Sequence, residues 1–297
     1  MTAKGLLIPI EYGRRKYPEG INPVIKEIAC HFDVKGISTG GYAYSLHTEY
    51  SYGRREFCSK FVKDLLVVKS SVKDGVPQLW ASNDWAKEFA EFIKIITSGN
   101  NDPKIIEIHP PFNDYCDTID VFLDCYQLFE REIIRRFPGV HILLENRCGS
   151  AYRGGRFLIS KTTDLVELIG KVKERGLRLR ITLDSPQLIS AYGGVEKINQ
   201  AKLEKIFSPL LGYEHYIEGL HLWGKKKSEA GRTVSHIGTL DTLFADKTLK
   251  AKFLSIMKDL FADGVPRYFV PEVNSGDLDL KMIVEDLINS GFSFVER

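Results

Sequence analysis

Several polar side chains stand where apolar segments of this chain end. His141-Ile-Leu-Leu-Glu145-Asn146 is an apolar run tipped by a carboxylate, and Asp184, His221 and Glu272 close later runs of the same kind. A lone acid in such a place caps a helix or faces solvent, and a lone His on an apolar strand is usually a satisfied core residue. Asp184 in particular can cap the turn at Ser185-Pro186. Recurrence at matching strand ends favours one shared explanation, a divalent ion. Two Glu, one Asp and one His form a mixed N/O set for Mn²⁺, Zn²⁺, Co²⁺ or Mg²⁺. A cation also relieves the repulsion among three carboxylates. Glu145 or Glu272 is the candidate general base, and His109, which closes Ile-Glu-Ile-His109-Pro, is a further catalytic candidate that backs the ligands or contacts the substrate.

Strand ends can converge only if the strands run side by side, and the hydropathy pattern supplies them. It predicts strands at 6–12, 34–40, 65–70, 105–109, 141–146, 177–184, 217–223 and 268–273. Helices are expected at 22–32, from 55 onward, and at 83–97, 117–136, 163–175, 198–211, 240–262 and 277–290, several marked by caps such as Asn22-Pro23. Residues 42–54 read as a long aromatic-rich loop in which His47 and Glu49 supply a movable acid or base. Strands that alternate with helices predict an α/β fold, a (β/α)8 TIM barrel in a single domain spanning 1–297. The runner-up, a doubly wound sheet, lacks a G-x-G-x-x-G after the first strand. In a barrel the C-terminal strand ends form the active face.

The 297 residues carry a net charge of +2, too little for an electrostatically driven nucleic-acid binder, yet the loops of the presumed active face are basic. Arg147, Arg153 and Arg156 follow the fifth strand, and Lys226, Lys227 and Arg232 follow the seventh. With Gln187 and His236 they are the candidate contacts to a small anionic substrate, since guanidinium forks fit phosphate and carboxylate. No apolar run spans a membrane, and five irregularly spaced cysteines fit a reduced, cytoplasmic setting better than a disulfide framework. The oligomeric state is not legible.

The segments Ile-Glu-Ile-His109-Pro, Leu-Leu-Glu145-Asn, Leu-Asp184-Ser-Pro-Gln187, Leu-His221-Leu-Trp-Gly-Lys and Pro-Glu272-Val resemble the xylose-isomerase-like barrel superfamily, which holds endonuclease IV and the sugar isomerases and epimerases. The resemblance covers about residues 105–275. It implies a TIM barrel with a metal tetrad of Glu145, Asp184, His221 and Glu272. It also implies an isomerase- or epimerase-like enzyme for an anionic sugar-containing substrate. The alternative is an endonuclease IV-like phosphodiester hydrolase acting on abasic DNA, and a third reading is a barrel that has lost its metal and its catalysis. Gln187 stands where the pattern has His, His236 is displaced by two positions, and the expected third strand ends in Lys69-Ser70 without a His. One metal therefore fits the sequence better than three.

Overall fold

The computed structural model describes residues 4–57, 60–148, 151–152, 155–227 and 232–296. The chain has the α/β, (β/α)8 barrel architecture expected from its sequence. Its parallel strands are β1 (Gly5–Glu11), β2 (Ile25–Cys30), β3 (Ala43–Thr48), β4 (Ile105–Ile108), β5 (His141–Glu145), β6 (Arg180–Asp184), β7 (Ile217–Leu222) and β8 (Pro266–Pro271). A short β9 (Phe292–Phe294) pairs with β1. The main helices are α1 (Asn83–Ile96), α2 (Ile119–Arg136), α3 (Thr162–Glu174), α4 (Ser185–Ala191), α5 (Gln200–Phe207), α6 (Lys247–Phe261) and α7 (Asp277–Asn289). The chain divides into two compact units, Ile28–Arg180 and a second made of Met1–Glu27 with Ile181–Arg297.

In the Ile28–Arg180 unit, β3 pairs with β4 so that His47 lies opposite Glu107, and β4 pairs with β5 so that Ile108 lies opposite Leu144. Side chains alternate along a strand, and directly paired residues share a face. This register therefore puts His47, Glu107, His109 and Glu145 on one face. Behind the sheet, α1 starts at Ser82, whose hydroxyl accepts from Trp85 N, and buries Trp85, Phe89, Ile93 and Ile96 at helical spacing. Thr118 caps α2 in the same way through Val121 N. Phe89 of α1 stacks on Phe129 of α2 at 5.2 Å between centroids, and Trp80 meets both edge-on.

In the second unit, β6 pairs with β7, β7 with β8, and β8 with β1. Asp184 lies opposite His221, and His221 opposite Val270, so Asp184, His221 and Glu272 share a face. Arg267, 1% exposed, forks onto Asp263 and donates to the carbonyls of Ile217 and Glu214, which ties the start of β8 to the β7 entry.

The first third of the chain departs from expectation. Residues 22–32 were expected to be helical, but they form β2, whose Ile25 pairs with Ile10 of β1. Asn22 donates its amide to Glu296 instead of capping a helix, so sheet pairing outweighs a weak local signal. Residues 34–40 are irregular chain between two turns, with Gly36 and Gly40 at positive φ, and the expected loop 42–54 contains β3. Residues 66–70 are one helical turn, with the buried Leu65 and Val68 three apart, so the third strand is β3 and it carries His47. The expected helix 240–262 is two, Leu240–Leu243 and α6, and α4 was not anticipated. No helix among the described residues is long and apolar enough to cross a membrane.

Candidate functional site

Glu145 of the Ile28–Arg180 unit is fully buried. Its Oε2 lies 3.0 Å from His109 Nε2 and 3.4 Å from His47 Nε2, and its Oε1 accepts from Arg147 Nη1 at 3.0 Å. His47 Nε2 is also 3.5 Å from Glu107 Oε1. One ligand atom from each of His47, Glu107, His109 and Glu145 lies within 4.8 Å of the others. A tetrahedral zinc with ligands at about 2.0–2.1 Å has donor-to-donor edges of roughly 3.3 Å. The observed separations are of that size, and two of the three exceed a good hydrogen bond.

Proton bookkeeping at His109 sharpens this. Its Nδ1 sits 3.1 Å from the Glu49 carbonyl while Nε2 faces Glu145, so both ring nitrogens meet acceptors. Burial lowers the His109 pKa against the pull of Glu145 and favours the neutral ring, which has one N–H for two acceptors. Burial alone would raise Glu145. Arg147 and the hydrogen bonds from His109 and His47 overcome that and hold it well below the usual carboxylate range, so it stays ionised. His109 and Glu145 would hold a divalent cation without competing for that proton. The donor set therefore fits a metal.

The surroundings are rigid. Trp80, itself at φ +60°, donates its indole N–H to the His109 carbonyl at 2.7 Å. A bulky residue in the left-handed region is strained, and the aromatic core around it holds it there. The rings of His31, His47 and His109 surround Tyr50. Burial and the nearby His47, Arg55 and His109 lower His31 to about 3, so it is neutral at physiological pH.

The other sequence-derived ligands lie in the second unit. Asp184 serves as the cap that the Ser-Pro turn suggested: Oδ1 accepts from Gln187 N at 2.7 Å, and Oδ2 accepts from Trp223 Nε1 at 2.9 Å. His221 Nδ1 is 3.7 Å and His236 Nδ1 3.2 Å from the Glu272 carboxylate. His236 stacks on Trp223 at 4.3 Å with its backbone at φ +62°. The structure thus brings His221, Glu272 and His236 together and puts Asp184 under Trp223.

The candidate substrate contacts separate by environment. Arg147 was expected on a basic rim, but it is buried between the Tyr50 and Phe157 rings, with its guanidinium carbon 5.3 and 5.5 Å from their centroids. Arg156, Lys226 and Arg232 are exposed, and Gln187 is buried on α4. Arg153 and the side chain of Lys227 lie outside the described residues. His47 was expected in a movable loop and is fixed on β3, while Glu107 was not singled out at all. The missed signal is the alternation of Ala43, Ser45 and His47 against Tyr44, Leu46 and Thr48, which the aromatic-rich composition of 42–54 obscures.

No protein-family model and no curated relative matches the chain. Solved structures similar to it include a D-tagatose 3-epimerase-like protein, 15% identical, with 91% of this chain and 86% of that one covered and a TM-score of 0.39. A xylose isomerase domain protein from Planctomyces limnophilus is 12% identical over 92% and 98% of the two chains, with a TM-score of 0.44. Another from Alicyclobacillus acidocaldarius is 12% identical over 84% and 79%, with a TM-score of 0.39.

Proposed function

We propose that this chain is a divalent-metal-dependent enzyme acting on an anionic, sugar-containing substrate. The observation that carries the reading is the buried set His47, Glu107, His109 and Glu145, with ligand atoms within 4.8 Å of one another. His47, His109 and Glu145 form a two-imidazole, one-carboxylate combination typical of catalytic zinc. The bound ion would supply Lewis acidity and lower the pKa of a coordinated water. Arg147 keeps Glu145 ionised and so fit to bind a cation; the aromatic walls on either side restrict water. Arg156 in the Ile28–Arg180 unit, and Lys226 and Arg232 in the second, are exposed cations that suit an anionic substrate.

Two reactions suit such a site. One is hydrolysis of a sugar-linked phosphoester, abasic DNA included, for which His47, His109 and Glu145 would serve as the ligand set. The isomerase or epimerase reading needs a carboxylate that takes a proton from carbon. Glu272, beside His221 and His236, is the candidate carboxylate of the second unit for that role. The direct test is a parallel assay of the zinc-, manganese- and magnesium-loaded protein on an abasic oligonucleotide and on ketose phosphates. Strand cleavage that disappears in His47→Ala supports hydrolysis. Interconversion of ketoses with intact DNA supports the isomerase reading, and inactivity with every metal on both substrate classes counts against the enzyme.

A further inference from the structure

The side chain of Glu49 is wholly buried, yet it reaches neither His109 nor Glu145; it collects backbone and guanidinium donors instead. Oε1 accepts from the amides of Tyr50 at 3.0 Å and Ser51 at 3.1 Å, and Oε2 accepts from Phe32 N at 3.3 Å and Arg55 Nε at 2.8 Å. A buried carboxylate with four donors is fully compensated, and its loss would leave those donors without a partner. Ser51 sits at φ +56°, and its hydroxyl donates to the Pro77 carbonyl at 2.6 Å, so the turn after β3 is tied from two sides. The turn presents the Glu49 carbonyl to His109 Nδ1 at 3.1 Å, beside the Tyr50 ring.

We propose that Glu49 is a positioning residue, whose carboxylate anchors the turn after β3 so that its own carbonyl keeps a proton on His109 Nδ1 and turns Nε2 toward Glu145. The proposal rests on the metal reading above and gives His109 its outer partner. A metal-bound imidazole commonly donates its other N–H to a carbonyl or carboxylate, which fixes tautomer and ring orientation, and loss of such a partner typically lowers metal affinity about 10–100-fold. Trp80 acts on the same residue from the other side through the His109 carbonyl, so ring and backbone are held separately.

The test compares the full-length wild type with Glu49→Ala, Glu49→Gln and Ser51→Ala, the last removing only the Pro77 tie. Zinc affinity by competition with a chelating dye should fall about 10–100-fold in Glu49→Ala. It should fall less in Glu49→Gln, whose amide oxygen can still accept from Tyr50 and Ser51, and change little in Ser51→Ala. Nitrogen-15 imidazole spectra of the metal-free wild type should show a protonated, exchange-protected Nδ1 on His109, with protection lost in Glu49→Ala. Should Glu49→Ala not fold, Glu49→Gln and the wild-type spectrum decide. Unchanged zinc affinity in folded Glu49 variants, or an unprotonated Nδ1 in the wild type, would overturn the positioning role. A wild type that binds no zinc but shows the protected Nδ1 proton would sink the metal reading and leave the positioning role standing.

Discussion

In the Ile28–Arg180 unit, strand-end acids and imidazoles face one another: Glu145 meets two histidine nitrogens and an arginine, and Glu107 meets His47. In the second unit, Asp184 is committed through both oxygens to a helix cap and an indole, while His221 and His236 flank Glu272. The same residue types at the same strand position thus serve different ends. What separates them is the donor supply. Asp184 accepts from neutral N–H groups, whereas Glu145 accepts from a guanidinium and faces two imidazole nitrogens.

The largest expected difference is in metal binding. Glu145→Gln should lower zinc affinity at least about 100-fold, because it removes the charge at the centre of the set. The measurement is dialysis followed by elemental analysis. Asp184→Ala should reveal itself in stability, losing about 1–3 kcal/mol in urea unfolding, since it strips an N-cap and leaves the Trp223 indole without that acceptor. A larger metal loss in Asp184→Ala than in Glu145→Gln would reverse the comparison.

Packing and ion pairing sharpen the contrast at the next level. Phe89→Ala in the first unit should cost about 3–5 kcal/mol, since it opens a cavity between Trp80 and Phe129. Arg267→Met in the second should cost less, about 1–3 kcal/mol, because Asp263 keeps partial access to solvent and regains water. Both are read as shifts in the urea midpoint.

Acid should separate the units more gently. His31 has its folded value lowered from 6.5 to about 3, so its neutral form is fully stabilising above pH 6.5, and that contribution drains away as pH falls through the 6.5-to-3 window. Asp263 is held below its ordinary value, against burial, by Arg267 and the Val265 amide. Its contribution is present above about pH 4 and is lost as pH falls through the lower folded value. Denaturation at pH 7, 5 and 4 should show a decline that His31→Phe reduces and Asp263→Asn leaves unchanged down to about pH 4.

Legibility of the site followed the strength of the local pattern. β4 to β8 are apolar runs with turn signals at their ends, and the polar residues that close them stand out in sequence. β2 and β3 were missed because pairing with neighbouring strands forms them. Ile25 takes its place from Ile10, and His47 takes its place from Glu107. Asn22-Pro23 imitates a helix start, and the tyrosines of 42–54 imitate a loop. The cost of that misreading was functional, since it removed His47 from the ligand set and turned Arg147, a buried partner of Glu145, into a rim residue. Glu49 was expected as a movable acid or base and is instead buried and held by four donors, an arrangement no spacing rule shows.

The central claim is that His47, His109 and Glu145 hold a divalent ion together, and the most direct measurement is the zinc stoichiometry and affinity of the wild type beside His47→Ala. The wild type should bind zinc, and a folded His47→Ala protein should bind it at least about 100-fold more weakly. A wild type that binds no divalent ion, or a His47→Ala variant that binds zinc as tightly as the wild type, would contradict it.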